Sequence, residues 1–254
     1  MLPYIEIYKY QISMYAVCIM AGLIFGIIVA LLRAGIYQYK KEDILFASFY
    51  GILGLISGGK ILYLITIIPF LVKNFEHIIN SREILQALMS GGFVFYGGLL
   101  GAVAGIWIYT KQYHLKIQEV LEIMIPSVPL IHALGRVGCF CAGCCYGREF
   151  PKPLGMIFHN SPIAPNDVPL FPVQLVEAGG NLFVFIILLW CGRRRTSGQL
   201  TGIYFIAYSI MRFLLEYMRA DAERGIWLGI STSQWISIGI MAAGIMIMKK
   251  AGKK

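Results

Sequence analysis

Long apolar runs recur along this chain, and the first, residues 12–32, carries no charge until Arg33 closes it. A hydrocarbon core about 30 Å thick is crossed by about 20 helical residues, so such a run reads as a transmembrane helix. Further runs at 44–67, 91–109, 120–134, 175–191, 202–218 and 235–248 bring the expected spans to seven. Charged residues make up 14% of the chain and mean hydropathy is +0.71, whereas soluble domains carry about a quarter charged residues. The sequence therefore predicts an all-α polytopic membrane protein, one transmembrane domain over 1–254. The opening Met1-Leu-Pro-Tyr-Ile-Glu6 lacks a basic n-region, so the first run reads as an uncleaved span.

The connections set an expected orientation. Arg33, Lys40, Lys41, Lys111, Lys116, Arg193, Arg194, Arg195, Lys249, Lys250, Lys253 and Lys254 fall on one side. Lys9, Lys73, Arg82, Arg148, Lys152 and Arg224 fall on the other, joined there by Arg136, Arg212 and Arg219 when the candidate site arginines are counted, twelve against nine. The positive-inside bias then puts the N-terminus outside and the C-terminus in the cytoplasm. Two connections, 69–89 and 147–172, are expected as extracytoplasmic loops or interfacial segments. The first carries Glu76, His77, Arg82 and Glu83; the second is rich in proline, Pro162 included. The net charge of +9 fits cytoplasmic loops and anionic lipid headgroups, and no basic–aromatic patch points to nucleic acid.

In this apolar background the polar residues stand out. His132-Ala-Leu-Gly-Arg-Val-Gly-Cys-Phe-Cys-Ala-Gly-Cys-Cys-Tyr-Gly147 holds an arginine at the end of a span and four of the six cysteines. His132 and Arg136 are four apart and share a helix face; beyond Gly138 the glycine and cysteine density reads as irregular backbone. Arg212, Glu216 and Arg219 follow at i, i+4 and i+7, again one face, with an ion pair within reach. Gln174, Glu177 and Asn181 open the fifth expected span, Lys60 lies late in the second, and Tyr15 early in the first. With the orientation above, all fall in the outer half of the bilayer. An intramembrane arginine is costly unless partnered and marks a substrate pathway by default. The cations exceed the carboxylates Glu177 and Glu216, so an anion completes the site. A phospholipid phosphate suits arginine's fork. The cysteines Cys139, Cys141, Cys144 and Cys145 leave metal binding, a disulfide, a nucleophile and plain packing open. Gly91-Gly92 and Gly97-Gly98 flank Tyr96 and read either as close helix packing or as a surface presenting Tyr96.

Several of these segments resemble motifs of the prolipoprotein diacylglyceryl transferase family. They are Gly135-Arg-Val-Gly-Cys-Phe140, Gly91-Gly-Phe-Val-Phe-Tyr-Gly-Gly98, Pro172-Val-Gln-Leu-Val-Glu177 and Arg212-Phe-Leu-Leu-Glu216, with Met14-Tyr15 and Gly59-Lys60 in support. The chain departs from the family's pattern where two asparagines and a glutamate are replaced by Cys139, Ala142 and Cys144. It departs again where Tyr96 replaces a histidine. This resembles a cysteine-rich branch.

The resemblance implies a seven-helix enzyme of the bacterial cytoplasmic (inner) membrane, its active site facing the outer leaflet. Such enzymes move the diacylglyceryl group of phosphatidylglycerol to the lipobox cysteine thiol of a prolipoprotein signal peptide, leaving a thioether and glycerol phosphate. Arg136, Arg212, Tyr96, Glu216 and His132 are the expected catalytic residues. Tyr15, Lys60, Gly92, Gly97, Gly98, Gln174, Glu177 and Arg219 are the expected substrate-binding residues, among membrane lipids, with no metal and no organic cofactor. Two other classes remain: a metal- or thiol-redox protein built on residues 139–145, and a phospholipid transporter.

Overall fold

The computed structural model describes residues 3–8, 10–74, 81–159, 161, 163–194, 198–220 and 225–252. Lys9, Glu76, His77, Pro162, Arg195, Arg224, Lys253 and Lys254 lie outside the described residues. In chain order the elements are β1 (Tyr4–Ile7), β2 (Tyr10–Ser13), α1 (Met14–Ala34), α2 (Lys41–Thr66), α3 (Ile68–Lys73) and α4 (Arg82–Ser90). Then come α5 (Phe95–Gln112), α6 (Ile117–Met124), α7 (Ser127–Ala142), β3 (Met156–Ile157), β4 (Pro169–Leu170) and α8 (Val173–Cys191). The chain ends with α9 (Gln199–Leu215), β5 (Ile226–Trp227), β6 (Ile230–Ser231) and α10 (Thr232–Ala251).

Among the described residues, three helical stretches are long and apolar enough to cross a membrane: Met14–Tyr37, Lys41–Thr66 and Val173–Cys191. A fourth arises if α6 and α7, bent by 42° at their junction, make one crossing. Pro126 stands at that bend, where it donates no amide to a continuing helix. The described residues are mostly helical, as expected, and three small antiparallel ribbons accompany the helices, β1 with β2, β3 with β4, and β5 with β6. The 147–172 connection contains β3 and β4 and closes over a core of its own, Phe158, Ala164 and Leu170. The 69–89 connection is partly helical, through α3 and α4.

The chain divides into two compact units, one formed by Met1–Gln38 with Leu121–Lys254 and one by Tyr39–Val120. In the first, α1 turns small residues inward: Cys18, Gly22, Gly26 and Ala30 recur every fourth position and are buried. Met20, Ile24, Phe25, Ile28 and Leu32 are exposed. Large apolar groups outside and small ones inside is the pattern of a helix solvated by lipid, since close backbone approach rather than hydrophobic exclusion drives packing there. The inner stripe meets α7, where the Ser127 hydroxyl donates to the Gly26 carbonyl at 2.7 Å. Gly138 is the second point of close approach; a Cβ there would sit 3.0 Å from Cys18 Cβ and 3.1 Å from Tyr15 Cα. The helix therefore does not loosen after Gly138, as its composition suggested, but runs on to Ala142. It stops at Gly143, whose φ of +71° suits a residue without a Cβ.

At the far end of this unit two charges are spent on backbone. Arg33 is buried and donates to the carbonyls of Ile123, Gly192 and Glu122 at 3.2, 3.1 and 3.4 Å. The Glu122 carboxylate accepts from the amides of Leu200 (3.0 Å) and Thr201 (2.9 Å) and from the Thr201 hydroxyl (2.7 Å). A carboxylate at a helix N-terminus satisfies otherwise unpaired donors and opposes the helix dipole, and α9 starts there. α10 begins on a capping box formed by Ser231 and Gln234.

The second unit is a helical hairpin of α2 and α5 with a glycine seam. A Cβ on Gly54 would overlap the Gly101 carbonyl, and Gly58 and Gly97 stand in the same relation to one another. Gly54→Leu is therefore expected to overpack the seam, costing about 1–3 kcal/mol or more. Leu53→Ala, one position away and half exposed, is expected to be near neutral. Thermal unfolding of the two variants in lipid nanodiscs checks the contrast; equal midpoints would refute the seam.

Candidate active site

The polar residues of the first unit gather around Glu177. The opening of α8 aligns Gln174, Glu177 and Asn181 on one face, and all three are fully buried. Glu177 Oε1 lies 3.0 Å from Arg136 Nη2 and 3.4 Å from His132 Nε2, and Oε2 lies 3.7 Å from Arg219 Nη1. These are pairings of charge rather than aligned hydrogen bonds, for neither carboxylate oxygen has a partner of hydrogen-bond geometry. Coulomb attraction in a low-dielectric interior is strong at these distances, so Glu177 is the hub that fixes where the cations stand. The shared face of His132 and Arg136, four apart on α7, is what lets one carboxylate serve both.

A second pair stands nearby. Arg212 Nη1 lies 2.6 Å from Glu216 Oε2, at the residue that caps the C-terminal end of α9, and Arg212 Nη2 donates to the Ser233 hydroxyl at 3.1 Å. His132 lies within electrostatic reach of Arg136, Glu177 and Arg212, and its ring packs 5.4 Å from that of Tyr208. The ion pairs are mostly shielded, with the Arg136 and Arg212 side chains 16% and 10% exposed.

Backbone pairing positions Arg219. The Gly147 amide donates to the Phe171 carbonyl (3.1 Å), the Arg148 amide to the Met218 carbonyl (2.9 Å) and the Ala220 amide to the Tyr146 carbonyl (3.4 Å). Segment 146–148 is thereby threaded between the end of α9 and the entry to α8. Gly147 fits because a Cβ there would stand 2.8 Å from the Met218 carbonyl oxygen and 2.5 Å from that of Phe171. The Gln174 side-chain amide donates to the Cys144 carbonyl at 2.8 Å and ties the cysteine turn to α8. Tyr15 lies against Gly138 and within electrostatic reach of Arg136 and Cys145.

Thus Tyr15, His132, Arg136, Gln174, Glu177, Arg212, Glu216 and Arg219 come together in one unit. Lys60, Gly92, Tyr96, Gly97 and Gly98 belong to the other. There the Lys60 ammonium donates to the carbonyls of Leu88 (2.6 Å) and Gly91 (2.5 Å) and lies over the Tyr63 ring, so it closes the C-terminal end of α4. Gly97 and Gly98 face the α2 backbone, and Gly92 (φ +71°) has the Tyr63 ring where a side chain would stand. Tyr96 is partly exposed in the first turn of α5, edge-on to Phe95. Sequence reasoning missed Ser233 and Tyr208. Tyr208 could have been found, since it precedes Arg212 by one helical turn; Ser233 is brought in from another helix.

The family model for prolipoprotein diacylglyceryl transferase matches residues 3–249. A relative from Clostridium tetani, named phosphatidylglycerol–prolipoprotein diacylglyceryl transferase, is 34% identical over 243 residues, 95% of this chain and 94% of its own. One from Clostridium perfringens, bearing that name with the number 2, is 32% identical over 253 residues, covering 98% and 96%. A third of the same name, from Idiomarina loihiensis, is 32% identical over 221 residues, covering 85% and 79%.

Proposed function

This chain belongs to the prolipoprotein diacylglyceryl transferase family, and we propose that it transfers the diacylglyceryl group of phosphatidylglycerol to the lipobox cysteine of a prolipoprotein. The acceptor thiol loses its proton, and its sulfur attacks the glyceryl carbon that bears the phosphate ester. A carbon–sulfur bond forms as the carbon–oxygen bond breaks, the oxygen keeps the electron pair, and glycerol phosphate leaves.

The observation that supports this reading is the pair of braced arginines, Arg136 on Glu177 and Arg212 on Glu216, both within electrostatic reach of His132. With Arg219 they carry one positive charge more than the two carboxylates balance, and a phosphodiester supplies the missing anion. Donors fixed in place before the reaction stabilise charge on the leaving phosphate without reorganising. Among the candidate bases of the first unit, Glu216 is engaged by Arg212. His132, beside both arginines and 19% exposed, is the one the geometry favours for receiving the thiol proton. Glu177 and Glu216 orient the guanidiniums, and Gln174 holds the Cys144 turn.

The same reading takes the chain as a seven-span protein of the bacterial cytoplasmic membrane, N-terminus outside, with the site opening to the outer leaflet. The test is complementation of a bacterial strain depleted of its own diacylglyceryl transferase, together with glycerol phosphate release from labelled phosphatidylglycerol. Growth with mature lipoprotein and glycerol phosphate is the expected result. Lipid movement without glycerol phosphate would make the chain a transporter and overturn the assignment.

A further inference from the structure

Three cysteines take no part in the transfer chemistry, yet they converge. Cys139 lies in the last turn of α7 and is buried. Gly143 ends that helix in a left-handed conformation, and Cys145 is left-handed as well, with φ of +58°. Two such residues so close together reverse the chain and lay Cys144 and Cys145 over Cys139. The three Sγ atoms all lie within 4.8 Å of one another, and none is in a disulfide. Cys141, whose neighbour is Cys18, is not part of the group. The turn is held by the Gln174 amide on the Cys144 carbonyl.

Thiolates are soft ligands and select zinc-like cations over magnesium or calcium. Zinc–sulfur bonds of about 2.3 Å in tetrahedral geometry place sulfur atoms about 3.8 Å apart. The cluster reaches that spacing by rotating side chains through less than about 1 Å of closure. The charges agree. Arg136 and Arg219 act electrostatically on Cys145, and nearby guanidiniums favour the thiolate.

We propose that Cys139, Cys144 and Cys145 form a three-thiolate site for a thiophilic d10 cation of the zinc class. On binding, each thiol gives its proton to solvent and forms one metal–sulfur bond, leaving a fourth position open as three-ligand zinc sites do. The three ligands are distinct from the residues assigned to the transfer reaction, although Arg136, Arg219 and Gln174 adjoin both.

The test uses the full chain, purified in detergent, reduced, loaded with Zn2+ and desalted. About one equivalent of zinc per chain is expected, with three thiols shielded from a thiol reagent until a chelator frees them. Titration with Cd2+ is expected to give the near-ultraviolet thiolate-to-metal absorption of a three-sulfur site. Each of Cys139→Ser, Cys144→Ser and Cys145→Ser should weaken zinc binding at least about tenfold, while Cys141→Ser and Cys191→Ser bind as the parent does. Because serine substitution at Cys139 could disturb the fold, thiol protection in the unaltered chain decides independently. Substoichiometric zinc in the reduced protein, or equal binding by the triple serine variant, would overturn the proposal.

Discussion

Arg136→Ala and Arg212→Ala are each expected to lower thioether formation at least about 10²-fold, the loss typical of removing one donor aimed at developing charge. The assay follows the label from phosphatidylglycerol into a peptide carrying a lipobox cysteine, in proteoliposomes. Both guanidiniums are already held by carboxylates, at 3.0 Å and 2.6 Å, so their removal takes away a preorganised donor rather than a mobile side chain. Lysine retains the charge but not the planar fork; Arg136→Lys and Arg212→Lys should recover only part of the loss. Arg148→Ala is the control, since that guanidinium lies on the Met218 sulfur at an exposed position, and it should leave the rate unchanged. Full activity in both alanine variants would end the enzyme assignment.

Glu177→Gln is expected to have the largest effect on stability. One fully buried carboxylate faces Arg136, Arg219 and His132. Without it two guanidiniums remain in a low-dielectric interior with no compensating charge, which costs about 3–5 kcal/mol when a buried pair is broken. Transfer should fall with it, because Arg136 loses the group that aims it. Glu216→Gln breaks an i, i+4 pair whose arginine keeps its Ser233 hydrogen bond, and should cost less. Unfolding midpoints in nanodiscs compare the two variants. An unshifted midpoint for Glu177→Gln would show that the hub bears no structural load.

Much of this site was legible because charge inside an apolar run must be explained. His132 with Arg136, and Arg212 with Glu216, could be paired from their spacing of four, since local geometry fixes which side chains share a helix face. Glu177 was visible as a carboxylate at the mouth of a span. Its place as the common partner of two guanidiniums and an imidazole from two other parts of the chain was not, because spacing carries no information about which helix lies opposite. The same limit explains Arg33 and Lys60. Arg33 read as a loop charge, but it is buried against three carbonyls; Lys60 read as a phosphate ligand, but it closes the end of α4. Composition shows that an ammonium or guanidinium needs acceptors and does not say whether backbone supplies them. Gly138 misled in another way. Its lack of a side chain serves the neighbouring helix, so the backbone around it stays regular.

The meeting of Gly54 with Gly101 and of Gly58 with Gly97 also limits how the α2–α5 hairpin can move. A shift of one residue along the shared axis would bring Leu53, Leu55 or Leu100 toward the opposite peptide plane, so the hairpin resists gliding of one helix past the other. An acyl chain, wider than the gap between two touching peptide backbones, can find no passage through its midline.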